Sequence, residues 1–106
     1  MATFDEREKG FESKFAHDQE FEFKVIARRN RLLGLWAAQE MGLTGEDAES
    51  YAKDVIYSDF DRAGDEDVFE KVWGDLQAKA PGVSEHQLRR HMEDLRNDAR
   101  GQLKAE

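Results

Sequence analysis

The chain has 106 residues, 39% apolar and 38% charged, with a formal net charge of -8 and no cysteine. That length specifies one domain with one modest core. The lack of cysteine excludes disulfides and thiolate metal or redox sites, and the acidic balance excludes a general nucleic-acid binder.

The chain opens MATFDEREKGFESKFAHDQEFEFK, five phenylalanines among seven acids and four bases. No apolar run of signal-peptide type stands there. The longest apolar stretch, Leu32 to Ala38 (LLGLWAA), is too short to span a bilayer, so no direct membrane insertion is expected. No repeat, low-complexity segment or period-two strand pattern is present, and apolar residues recur at helical spacing throughout.

The first helical region spans about Thr3 to Met41. Gly10 is an expected break or flexible point within it, because glycine costs about 1 kcal/mol relative to alanine in a helix. Phe4, Phe11 and Phe15 follow steps of seven and four and share one side. Phe21 and Phe23 cannot share a face, so one is expected to pack and the other to be partly exposed. Farther on, Val25, Ile26, Arg29, Leu32, Leu33, Trp36, Ala37 and Glu40 trace a second apolar face. Gly34 lies within it, where it permits close packing, and Gly42 is a C-cap candidate.

The second helix begins at Thr44, an N-cap candidate followed by Asp47 in the first turn. Its inward face is Ala48, Tyr51, Ala52, Val55, Ile56 and Phe60, and it ends near Gly64. The third starts around Asp65 with three acids, buries Val68, Phe69, Val72, Trp73 and Leu76, and stops before Pro81 and Gly82. The fourth opens on a capping box, Ser84 with Gln87, and carries a narrow seam of Leu88, Met92, Leu95, Ala99 and Leu103. Four amphipathic helices with short loops specify an all-α four-helix bundle. Phe4, Phe11 and Phe15 are surplus to its core, so they form either a segment folded back on the bundle or an amphipathic extension for a partner groove.

Signs of catalysis are sparse. No P-loop, GxGxxG, GxSxG or HExxH is present. His17, Asp18, Glu20 and Glu22 lack a second histidine nearby and read as a solvated helix face rather than a metal site. His86 and His91, five apart, do not align on one face and read as surface residues. The chain is therefore expected to be no enzyme, with no required cofactor and no metal.

Charge is uneven. Lys24, Arg28, Arg29 and Arg31 stand together without an acid, whereas Thr44 to Asp75 holds eleven acids and three bases. One reading is an anion site in which Arg28, Arg29 and Arg31 bind a phosphate and Trp36 or a tyrosine stacks on a base. The other, favoured by composition, pairs these arginines with acids of the second and third helices. Tyr51, Tyr57, Trp36 and Trp73 read as core or half-buried rings.

The stretches KFAHD (Lys14 to Asp18), ARRN (Ala27 to Asn30) and LLGLWAA, with YAKDVI, AGDEDVFEKV and GVSE later on, are familiar together. The chain resembles the zeta subunit of alphaproteobacterial F-type ATP synthases over essentially its whole length, most specifically in the first 42 residues. The resemblance implies a four-helix bundle that inhibits ATP hydrolysis by the catalytic head of the synthase. It implies a mobile inhibitory segment over residues 1–14, a bundle over residues 15–106, and ADP or ATP as a regulatory ligand. Phe4, Asp5, Arg7, Phe11 and Phe15 become the expected partner-binding residues, the rings supplying apolar contact and the charges register. Arg28, Arg29, Arg31 and Trp36 remain the candidate nucleotide residues on physical grounds alone. The protein is then expected to be a monomer when free, cytoplasmic, and peripheral to the inner membrane through the synthase. The alternative is a helical nucleotide-sensing or interaction module that does not itself inhibit an ATPase.

Overall fold

The computed structural model describes residues 2–59 and 65–106, with side chains over 18–59 and 65–106. Four helices follow in order: α1 (Ala2–Glu40), α2 (Gly45–Ser58), α3 (Asp65–Lys79) and α4 (Glu85–Ala105). No strand occurs among the described residues. The all-α four-helix architecture expected from the periodicity is the one observed. Helix α1 touches the other three, most extensively α2 and α4.

Local chemistry sets the helix ends. Gly42, at φ +79°, takes the left-handed position after α1. Its amide donates to the Gln39 carbonyl at 3.1 Å, and the Leu43 amide donates to that of Ala38 at 2.8 Å. This pair of bonds is a Schellman motif, which satisfies carbonyls that a helix end leaves open. At α4 the expected capping box forms: the Gln87 amide donates to the Ser84 hydroxyl at 3.1 Å, and the Ser84 amide to the Gln87 side chain at 2.9 Å.

Other boundaries differ from expectation. Helix α1 runs through Gly10 without a break, because one glycine costs far less than interrupting a long helix. Helix α2 stops at Ser58 rather than near Gly64, and Phe60 lies outside the described residues. Thr44 holds the N-cap position, yet its hydroxyl makes no cap bond. Gly45 follows at φ +55°, departing from a regular first turn, and the Asp47 amide is taken by the Thr44 carbonyl at 3.2 Å.

The core is apolar and continuous. Leu33, Val55, Val68, Val72, Leu76 and Leu88 are fully buried in one cluster. Trp36 and Trp73 pack on its edge half-buried. Glu40, placed on the inward face by periodicity, is exposed, since α1 ends there and a carboxylate keeps its water. Gly34 is required where α1 and α2 meet. A Cβ there would stand 2.7 Å from the Ala52 Cα and 3.2 Å from a Val55 methyl.

Candidate functional site

The candidate residues lie along α1: in its N-terminal length, in the basic run from Lys24 to Arg31, and at Trp36. For Phe4, Asp5, Arg7, Phe11 and Phe15 the backbone lies within α1, and their side chains are outside the described residues. Among the described side chains of α1, Asp18, Gln19 and Glu20 are exposed and burial begins at Phe21. Phe21 is half-buried while Phe23 is 62% exposed, the division the spacing predicts.

The basic run does not converge on one point. Arg29 turns inward and is 1% exposed. Its Nε donates to Asn30 Oδ1 at 2.8 Å, and its guanidinium donates to Asp65 Oδ1, also at 2.8 Å. That contact holds the Asp65 carboxyl below its ordinary pKa, the hydrogen bond to Arg29 being the leading cause. Arg31 forms a two-pronged pair with Glu49 of α2 at 2.9 and 3.1 Å. Arg28 meets Glu106 at 2.6 Å. Two of the three arginines thus pair with acids of α2 and α3, as the charge asymmetry suggested, and the third pairs with the acid following α4.

Asp65 belongs to a wider network. Arg96 of α4 lies 3.9 Å from it, and both Arg96 and Arg100 reach Glu22 of α1, at 3.5 and 2.8 Å. Glu22, read from sequence as part of a solvated face, is therefore an anchor between α1 and α4. Asp59 sits near this cluster with its pKa raised, first by partial burial, against the lowering effect of Arg29. Among the described residues, Asn30 Nδ2 and Asp67 Oδ2 are buried without a hydrogen-bond partner. No group of three or more potential metal ligands occurs among the described residues.

Arg28 and Arg31 remain together at the surface. With Lys24 they border an open hollow of about 630 Å³ whose apolar lining includes Phe21, Ile56 and Leu103. Trp36 lies elsewhere, in a separate hollow of about 440 Å³ with Glu40, Gln87 and His91. One face of its ring is stacked on His91, with centroids 4.1 Å apart and planes 24° from parallel. His91 is thus half-buried and engaged rather than a plain surface residue, while His86 is exposed. Of the four candidate nucleotide residues, two share a hollow, one is internal and one is on another surface.

Sequence reasoning missed three features here: the partnership of Asn30 with Arg29, the Trp36–His91 stack, and the anchoring of Glu22. A signal for the first was present. Arg29 falls among apolar positions at helical spacing, and a buried arginine requires hydrogen-bond acceptors.

Tyr51 is a further polar anchor. It donates to Asp75 Oδ2 at 2.8 Å, and Lys71 donates to the same oxygen at 3.1 Å. Burial, with the hydrogen bond and charge of Asp75, pushes the Tyr51 hydroxyl well above its ordinary pKa. This tyrosine is a structural donor at physiological pH and not a general base.

Among the described residues no helix is long and apolar enough to cross a membrane. No curated protein matches the chain. A protein solved by solution NMR is similar to it at 44% identity and a TM-score of 0.71, over 79% of this chain and 95% of that one. The profile of the family described as ATPase inhibitor subunit zeta matches residues 1–102. With four helices in the expected order and a match over nearly its whole length, the chain belongs to the ATPase inhibitor subunit zeta family.

Proposed function

We propose that the chain is a non-catalytic regulator that inhibits ATP hydrolysis by the catalytic head of an F-type ATP synthase through its N-terminal amphipathic helix. The observation that carries this reading is the continuation of α1 toward the N-terminus from the exposed residues Asp18, Gln19 and Glu20, into a length whose sequence places Phe4, Phe11 and Phe15 on one side. An amphipathic helix of this kind is suited to a partner groove. Asp5 and Arg7 set orientation and register more than strength. Burial of one phenylalanine side chain is worth about 1.5–3 kcal/mol, so three such rings contribute substantially to binding. In this reading the protein needs no cofactor, is monomeric when free, and is cytoplasmic, held at the inner membrane only through the synthase.

Removal of residues 1–14 tests the proposal. The shortened chain is expected to keep a cooperatively melting bundle and to lose inhibition in an ATP hydrolysis assay with the purified synthase head. A shortened chain that folds and still inhibits fully would place the inhibitory surface on the bundle and refute the reading.

A nucleotide role is the second proposal, supported by the cluster of Lys24, Arg28 and Arg31 around an open hollow. Guanidinium groups at its rim are suited to the phosphates of ADP or ATP, although Glu106 and Glu49 compete for them. ADP is expected to shift the amide resonances of Lys24 to Arg31 first, and Arg28→Ala with Arg31→Ala to weaken that titration. An unchanged titration in the double variant would dismiss the hollow as the site. A protein that binds ADP without affecting hydrolysis would favour a nucleotide-sensing module over an inhibitor.

A further inference from the structure

Each residue of an α-helix turns its face by about 100° and rises about 1.5 Å. Counted from Glu22 along α1, the positions of Arg29 and Leu33 fall within about 20° of one line. That line points into the bundle: Glu22 meets Arg96 and Arg100 of α4, Arg29 meets Asp65 of α3, and Leu33 is fully buried. Phe15, Phe11 and Phe4 stand seven, eleven and eighteen residues before Glu22. Their register positions therefore lie within about 20° of the same line. The aromatic stripe thus shares the register of the bundle-facing side of α1, N-terminal to the exposed residues Asp18, Gln19 and Glu20. Helix α4 ends at Ala105, and its last turn borders the hollow that Phe21 and Lys24 share.

Resting on the inhibitory reading of the N-terminal segment, we infer that the apolar ATPase cleft receiving the stripe also closes against the α4 end of the bundle. Stripe and bundle lie on one side of one helical rod. A wall that covers Phe4, Phe11 and Phe15 meets the bundle about 10 Å beyond Phe15. The bundle thereby fixes the rotational setting of the inserted helix. A second copy of the chain is a poorer occupant, because each copy carries a net charge of -8 and the two would repel.

Helical phase provides the test. Two or four alanines are inserted between Asp18 and Gln19, both exposed, in the full-length chain. Two residues turn the stripe by about 200° while moving it only about 3 Å; four turn it by a net 40° or so while moving it about 6 Å. Helicity and melting confirm folding, and the concentration for half-inhibition of the purified synthase head is measured. The two-residue insertion is expected to weaken inhibition by about tenfold or more, and the four-residue insertion by less than about threefold. Equal potency of the two variants, or a loss that grows with insertion length, would overturn the inference. Sedimentation showing a dimer that dissociates on Phe11→Ala would also overturn it. Failure of the inhibitory reading looks different: the chain lacking residues 1–14 would then inhibit fully.

Discussion

The part of the bundle around Leu33 and the part around Arg29 are built from the same helix and held by different forces. Around Leu33, fully buried Val55, Val72, Leu76 and Leu88 close an apolar cluster. One turn earlier, Arg29, Asn30 and Asp65, with Glu22, Arg96 and Arg100, join α1 to α3 and α4 through charge. The apolar part gains from removing surface from water, a force without direction. The ionic part gives up hydration of charged groups, and its pairs repay that only where geometry is good. Such a network is suited to fixing how helices are set against each other, whereas the apolar cluster supplies most of the stability.

Four substitutions break or sharpen this contrast. Leu76→Ala in the apolar cluster is expected to have the largest effect, about 2–5 kcal/mol in denaturant unfolding, through lost burial and a residual cavity. Arg29→Met comes next. It keeps much of the side-chain volume and leaves Asn30 and Asp65 without their donor, an expected loss of about 1–3 kcal/mol. A loss equal to that of Leu76→Ala would erase the distinction between the two parts. Its pH signature is specific. The lowered pKa of Asp65 contributes stability above the ordinary carboxylate range, lost as pH falls through the lowered value. The cost of Arg29→Met is therefore expected to shrink in acid, whereas that of Leu76→Ala should change little.

Arg31→Ala is expected to cost about 0.2–1 kcal/mol, because its pair with Glu49 is solvent-exposed, and added salt should reduce that difference. The smallest change belongs to Asp59→Asn, with the opposite sign. The raised pKa of Asp59 means that its charged form opposes folding. Its contribution is fully favourable below the unfolded pKa and is lost as pH rises through the folded one. The amide variant should melt slightly higher than the parent at pH 7, with the gain fading as pH falls into the carboxylate range. A lower melting temperature at pH 7 would mean that the attraction of Arg29 outweighs burial at this position.

The helices themselves were legible because each is specified locally. Ser84 and Gln87 form a capping box from a four-residue pattern, Gly42 takes the left-handed C-terminal position, and Leu88, Met92 and Ala99 bury along one seam. Gly34 was likewise readable as a close approach, although its neighbour Ala52 was not. The candidate site was less legible. Arg28, Arg29 and Arg31 form one basic run in sequence, but successive residues turn about 100° on a helix. One therefore enters the core, and two meet different carboxylates at the surface.

By itself, the sequence determined an all-α chain with one core, the helix-terminus signals seen at Gly42 and Ser84, and an aromatic stripe at its N-terminal end, because periodicity and capping act within a few residues. The tertiary structure alone decided that Arg29 would choose Asp65, that Glu22 would hold α4, and that His91 would cover Trp36. Those choices depend on which helices are neighbours and at what rotation, a property of packed elements rather than of any segment. The same rotation sets the stripe in phase with the bundle-facing side of α1, since one continuous helix carries both.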